Sequence, residues 1–106
     1  MKLDINEIMA DMLNAIKGTV KDDWIVVKKS ASTFIQNKKD RLELLAYMRL
    51  EGAIDNDFFE KRLADEKEIL ISELHSIAIV NKVLAQNAAN AAFKVLENVI
   101  TTALKI

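Results

Sequence analysis

Only one stretch of the sequence gathers side chains that could bind a metal or transfer a proton. His75 is the single histidine, and it follows Glu73 and Leu74. Di-iron helical bundles use a Glu-x-x-His spacing, and helical zinc sites use two histidines one turn apart, so neither pattern is present. The carboxylates of this stretch have basic neighbours at helical spacing, for example Arg62 with Glu66, which favours ion pairs on a solvated helix face. We therefore predict no metal site.

Nucleophilic catalysis has no better support in the sequence. The chain contains no cysteine, and none of its serines has a histidine or lysine at a spacing that would activate the hydroxyl. Neither a glycine-rich phosphate loop nor a Gly-x-Ser-x-Gly turn occurs. We predict a protein that is not an enzyme and that uses no cofactor.

A group of lysines offers a different chemistry, the binding of anions. On a continuous helix Lys21, Lys28 and Lys39 would fall within about 20° of each other, beside Trp24. These lysines are candidate anion-binding residues, with Trp24 as an anchor in a membrane interface. Alternatively, the lysine stems cover the edge of a hydrophobic seam. The net charge of −1 favours this alternative and gives no support for nucleic-acid binding.

The elements that must position these residues are predicted to be helices only. Proline is absent, and glycine occurs only as Gly18 and Gly52. Apolar residues recur at steps of three and four over two long stretches. We predict a single all-α domain, residues 1–106, in which an antiparallel hairpin is built from two long helices, 4–51 and 57–105.

Three positions are predicted to interrupt the helical pattern. The turn of the hairpin is placed at residues 52–56, where Gly52 can adopt the left-handed conformation that ends a helix. A kink is predicted near residue 38, in a polar segment. A second kink is predicted within residues 81–90, where asparagines are frequent.

The end of the second helix is too apolar for a helix with a single neighbour. Residues 76–106 contain only four charged side chains, and their apolar residues occupy more than one helix face. A four-helix bundle would cover this surface, formed either by dimerisation of two hairpins or by internal folding of one chain. The sequence favours a homodimer with coiled-coil packing, and an unidentified protein partner is the alternative.

The predicted interface follows the apolar stripe of the second helix and a ridge of alanines, where two helices can approach closely. The interspersed asparagines either hydrogen-bond within the seam or face solvent. The predicted interface residues are Leu70, Leu74, Ile77, Leu84, Ala85, Ala88, Ala89, Ala92, Val95, Leu96 and Val99.

The sequence predicts no membrane span and no secretion signal. Charged residues interrupt each apolar stretch before it reaches the ~18 residues that a span needs. Acidic residues also break up the first apolar stretch. We expect a cytoplasmic protein, and export by a route without a cleavable signal stays open.

One family resemblance bears on that possibility. The turn at residues 51–55 lies at the middle of the predicted hairpin, which in length and outline resembles the small secreted helical-hairpin proteins of the WXG100 type. Phe93 and Glu97 loosely match the aromatic-x-x-x-acid export signal of that family. Trp24, however, lies far from Gly52, whereas the family has its tryptophan at the turn. The resemblance implies a small exported helical-hairpin protein.

These observations predict a non-enzymatic helical module for protein–protein interaction or assembly, which self-associates through its C-terminal helix. One alternative is a peripheral membrane or anionic-polymer binder that uses Trp24 and the three lysines. The other is the small exported hairpin protein that the resemblance implies.

Overall fold

Four α-helices make up most of the protein, as the all-α prediction expects. The computed structural model describes residues 3–105. A single turn of 3-10 helix, Lys21–Asp23, joins the first helix to the second, and residues 3–105 contain no strand. The helices are α1 (Ile5–Val20), α2 (Trp24–Leu50), α3 (Asn56–His75) and α4 (Lys82–Leu104). The fold class predicted from the sequence is therefore confirmed at the level of an all-helical protein.

The predicted helix 4–51 is divided, but not near residue 38. It breaks at Lys21, whose backbone dihedral angles are φ 53° and ψ −116°. A single helix of residues 4–51 would be roughly 70 Å long and would leave much of its apolar face exposed to solvent. The break instead lets Ile16 on α1 and Val27 on α2 enter the same core, where both are fully buried. The prediction of a kink near residue 38 was wrong, since α2 is continuous there.

The predicted helix 57–105 is divided as well. Residues 76–81 form a connection between α3 and α4, and the side chain of Asn81 caps α4 by accepting a hydrogen bond from the Leu84 backbone amide at 2.8 Å. The break thus falls just before the predicted kink at residues 81–90, and α4 is continuous from Lys82 to Leu104. Asn87 and Asn90 are exposed, so they do not hydrogen-bond within a seam.

The turn between α2 and α3 forms where the sequence predicts it. Gly52 has φ +77°, the left-handed conformation that glycine adopts without steric cost. The helix that follows begins at Asn56, one residue earlier than expected. The side chain of Asp55 caps this helix by accepting a hydrogen bond from the Phe58 backbone amide at 2.8 Å.

Neighbouring helices run antiparallel. The Leu3 backbone amide donates a hydrogen bond to the Tyr47 hydroxyl at 3.3 Å, which places the start of α1 beside the end of α2. Lys38 in the middle of α2 contacts Glu66 in the middle of α3. The longest dimension of the protein is 41 Å, which matches the roughly 40 Å expected for the 27 residues of α2. The other helices therefore fold back alongside α2.

One hydrophobic core lies between the four helices. Its largest fully buried side chains include Met12 of α1, Leu42 of α2, Phe59 of α3 and Phe93 of α4. α4 packs against both α1 and α3, and most extensively against α1. Four alanines of α4 are fully buried, and their small side chains allow the close approach of helices. Most of the apolar surface of residues 76–105 is thus covered within a single chain, although Ile79 and Val83 remain exposed.

Candidate interaction surfaces

The residues predicted to form a subunit interface lie inside the protein. Ile77, Leu84, Val95 and Val99 are half-buried and pack against the core. The other seven have no exposed surface, and they are Leu70, Leu74, Ala85, Ala88, Ala89, Ala92 and Leu96. The interface was predicted because apolar residues occupy more than one face of this helix. The structure explains this pattern, since α1 and α3 both pack against α4. A second chain could reach the seven fully buried residues only if α4 left the core.

The three lysines predicted to form one strip lie on two different elements. Lys21 belongs to the 3-10 turn, whereas Lys28 and Lys39 lie on α2. The backbone at Lys21 interrupts the helical phase, so the predicted angular agreement with the other two lysines does not hold. Lys39 stands about 16 Å along α2 from Lys28. Trp24 is half-buried against the core.

Four exposed apolar side chains lie at one end of the bundle. Ile25 is 88% exposed and Val26 53% exposed in the first turn of α2, and Val83 is 64% exposed in the first turn of α4. Ile79, 52% exposed, lies in the connection before α4. Both α2 and α4 begin at this end, and helical side chains tilt toward the N-terminus of their helix. We call these four residues the apolar end.

The apolar end is also the more basic end of the molecule. The segments that converge there, residues 15–32 and 70–88, contain five lysines and three acidic residues, a charge of +2. Because the whole chain has a net charge of −1, the remainder carries −3. The lysines are Lys17, Lys21, Lys28, Lys29 and Lys82, and the acids are Asp22, Asp23 and Glu73.

A groove of about 550 Å³ runs between α2 and α3. Phe34 and Ile69 are its apolar lining residues, and the ammonium group of Lys38 lies 5.8 Å from the centre of the Phe34 ring. The remaining lining residues are polar or charged, namely Lys29, Ser30, Thr33, Asn37 and Glu73. The groove can accommodate amphipathic side chains.

A buried carboxylate, which pairs with the groove residue Lys38, holds α2 and α3 together. Glu66 is 3% exposed, and Arg41 Nη1 donates a hydrogen bond to its Oε1 at 3.1 Å. Lys38 Nζ lies 3.1 Å from its Oε2. These contacts explain why α2 remains helical through the polar segment around residue 38, since its basic side chains have a partner on α3. They stabilise the hairpin of α2 and α3 by charge-assisted contacts.

The role of Glu66 differs from the sequence prediction. Glu66 was expected on a solvated face in an ion pair with Arg62, but Arg62 Nη1 instead lies 4.0 Å from Asp65. The spacing of Glu66 from its apolar neighbours on α3 could have predicted that it is buried. It follows Leu63 by three residues and precedes Leu70 by four, so it occupies a core position of α3.

A second carboxylate, that of Glu97 on α4, is half-buried. Partial burial raises the pKa of this carboxyl above its ordinary value, and the nearby carboxylate of Glu60 on α3 raises it further. Lys67 and Lys94 act in the opposite direction and are the smaller influences. The short connection between α3 and α4, residues 76–81, makes these two packed helices antiparallel, with their register centred near residue 78.

Metal-binding and membrane-spanning features are absent from the described part of the chain. His75 is exposed at the end of α3, and residues 3–105 contain no group of three or more histidine, aspartate or glutamate side chains that could hold a metal ion. None of the four helices is both long and apolar enough to cross a membrane.

Comparison with protein-family models, with curated proteins and with solved structures finds no match for this chain. The candidate surfaces therefore rest on the geometry of the chain itself.

Proposed function

We propose that this protein is a non-enzymatic helical interaction module that self-associates through its C-terminal half. The apolar end is the observation that carries the proposal. Two pairs of exposed apolar side chains lie at this end, Ile25 with Val26 and Ile79 with Val83, and exposed apolar surface is typical of sites that bind another protein. Ile79 and Val83 belong to the C-terminal half, so this half supplies part of the proposed surface even though most of α4 is buried.

The first experiment is the molar mass in solution, measured by light scattering from low to high micromolar concentration. We expect a dimer whose fraction rises with protein concentration. A double variant, Ile79→Lys with Val83→Lys, should lower the dimer fraction, because two charges would have to be desolvated at the contact. Leu44→Lys is the matched control, since Leu44 is an exposed apolar residue of α2 outside the apolar end. A monomer at every concentration rejects the proposal.

A second candidate function is binding to an anionic membrane surface. It is supported by the charge of +2 at the apolar end, where Ile25, which follows Trp24, is highly exposed. Apolar side chains surrounded by lysines are typical of proteins that lie in a membrane interface.

Vesicle sedimentation tests this second function. Vesicles that contain phosphatidylserine should bind the protein, and vesicles of phosphatidylcholine alone should not. Lys21→Glu with Lys28→Glu should weaken the binding, whereas Lys39→Glu should weaken it less because Lys39 lies farther along α2. Binding that is unchanged in the double variant rejects this candidate.

The exported-hairpin alternative finds less support in the geometry. Each of the two predicted long helices is divided into two shorter helices. The protein therefore lacks the long hairpin shape on which the resemblance was based. Phe93 is fully buried in the core, so an export receptor could not contact its ring in the folded protein. Secretion of the intact protein into the medium of a producing cell would restore this alternative.

A further inference from the structure

The connection between α3 and α4 is short and contains neither glycine nor proline. It comprises residues 76–81. Its bend is held by a few local hydrogen bonds: Ser76 Oγ donates to the Glu73 carbonyl at 2.6 Å, and the Val80 amide donates to the Ile77 carbonyl at 2.9 Å. Asn81 caps α4, but none of the other residue types requires a bend, because Ser, Ile, Ala and Val all occur within helices.

The apolar pattern of a helix crosses this connection without interruption. Leu70, Leu74 and Ile77 precede the bend, and Leu84 and Ala88 follow it, at steps of four, three, seven and four residues. These steps keep the residues on one face of a straight helix. The same sequence is therefore compatible with a bent connection and with a continuous helix through residues 76–81.

The bent form leaves apolar side chains exposed beside the connection. Ile79 and Val83 have no partner within the chain that covers them. If the connection straightens, α4 can reach the equivalent place in a second copy of the chain. Because the register of α3 and α4 is centred near residue 78, the two straightened connections would cross near Ile79, and each would cover the other.

We propose that the protein dimerises by exchanging α4 between two copies, with residues 76–81 as the hinge. This inference rests on the proposed self-association and specifies its partner and its interface. In the exchanged dimer, α4 of one copy packs against α1 and α3 of its partner and makes the contacts that it makes within the monomer. The new contact is the antiparallel crossing of the two hinges.

The exchange leaves the core contacts of α4 unchanged, so they do not decide between monomer and dimer. Phe93, Leu96 and Ile100 are buried in the monomer and are buried by the partner copy in the dimer. The conformation of residues 76–81 and the protein concentration therefore determine the equilibrium between monomer and dimer. Conversion requires α4 to leave the core, so monomer and dimer should interconvert slowly.

Crosslinking within and between copies distinguishes an exchanged dimer from a side-by-side dimer. The chain contains no cysteine, so introduced cysteines are unique. Glu60→Cys with Glu97→Cys places one thiol near the start of α3 and one near the end of α4, at the same end of this antiparallel pair of helices. The dimer is isolated by size exclusion, treated with a short bis-maleimide reagent and denatured. In an exchanged dimer the reagent joins two copies, and denaturation leaves a covalent dimer.

A matched control pair does not span the hinge. Asn37→Cys with Ile69→Cys places its thiols on α2 and α3, on opposite sides of the same groove. This pair should crosslink within one copy in both monomer and dimer. A covalent dimer from the Glu60 and Glu97 pair together with internal crosslinks from the control pair supports the exchange. A dimer that shows only internal crosslinks for both pairs overturns the exchange while the proposed self-association stands, and a protein that is monomeric throughout overturns both.

A hinge variant provides an independent test that does not depend on the crosslinker. Two glycines inserted after Ala78 lengthen the connection and disfavour a straight helix, so the dimer should be lost while the helical content is kept. The same insertion after Ala53, in the turn between α2 and α3, should leave the dimer fraction unchanged. A hinge insertion that leaves the dimer fraction at the wild-type level contradicts the proposal.

Discussion

Lys38 Nζ on α2 lies 3.1 Å from a carboxylate oxygen of Glu66, although Glu66 occupies a core position of α3. Arg41 contacts the second oxygen of the same carboxylate. Ion pairs thus join α2 and α3 at the middle of both helices, at a core position that an apolar side chain would otherwise occupy. This arrangement favours one register of the two helices, because a shift by one turn would leave a buried carboxylate without its cations.

Removing the charge of Glu66 should destabilise the protein. We expect Glu66→Gln to lower the free energy of unfolding by about 1–3 kcal/mol, because two cations lose their anion at a partly buried site. The double variant Lys38→Met with Glu66→Leu should be closer to wild type, since apolar residues of similar size can replace a buried ion pair. Urea unfolding followed by circular dichroism measures both. Equal losses in the two variants would show that the ion pair is not the relevant contact.

The two glycines should respond to alanine in opposite ways. Gly18 lies in the interior of α1, and a Cβ added there would contact nothing within 4 Å. Gly18→Ala should raise the free energy of unfolding by about 0.5–1 kcal/mol through helix propensity. Gly52→Ala should lower it by about 1 kcal/mol, because φ +77° is unfavourable for alanine. Urea unfolding of both variants measures these two free energies. If both change in the same direction, the prediction is contradicted.

Glu97 should make the stability of the protein depend on pH. Its pKa is higher in the folded than in the unfolded protein, so the folded state holds the proton more tightly. The stability attributable to this group is therefore greatest below about pH 4.5 and falls as the pH rises through the folded-state pKa. Glu97→Gln should be more stable than wild type at neutral pH, by a small amount because the carboxyl is only partly buried.

The measurement is the difference in unfolding free energy between wild type and Glu97→Gln across the acidic range. This difference should shrink toward zero on acidification below about pH 4.5. Lys94→Gln is a suitable comparison, since the Lys94 charge lowers the same pKa and its removal should widen the pH effect. A difference that does not vary with pH would rule out Glu97 as its source.

The buried alanines of α4 should not tolerate larger side chains. Ala92 is fully buried, so Ala92→Leu should lower the free energy of unfolding by about 1–3 kcal/mol through overpacking. Ala10 on α1 is exposed, and Ala10→Leu should change it by less than about 0.5 kcal/mol. Thermal unfolding of the two variants provides the comparison. An Ala92→Leu variant as stable as wild type would mean that α4 is not tightly packed.

Local features of the sequence predicted the helical character of the chain and several helix ends. Helical periodicity predicted helices within residues 4–51 and 57–105, and α1 to α4 lie within these ranges except for Asn56. Glycine at position 52 predicted the turn between α2 and α3. These features depend on residues within a few positions of one another, so they can be recognised in the sequence.

Contacts between distant residues decided the rest. The polar segment around residue 38 looks like a helix break until Glu66, 28 residues away from Lys38, is seen to pair with its cations. The bends at residues 21–23 and 76–81 contain no glycine or proline, and their one local signal is Asn81, which caps α4. They form because the apolar faces on both sides must enter one core. The same requirement places the predicted interface residues of α4 inside the monomer, since burial by a second chain and burial by the same chain leave the same pattern in a sequence.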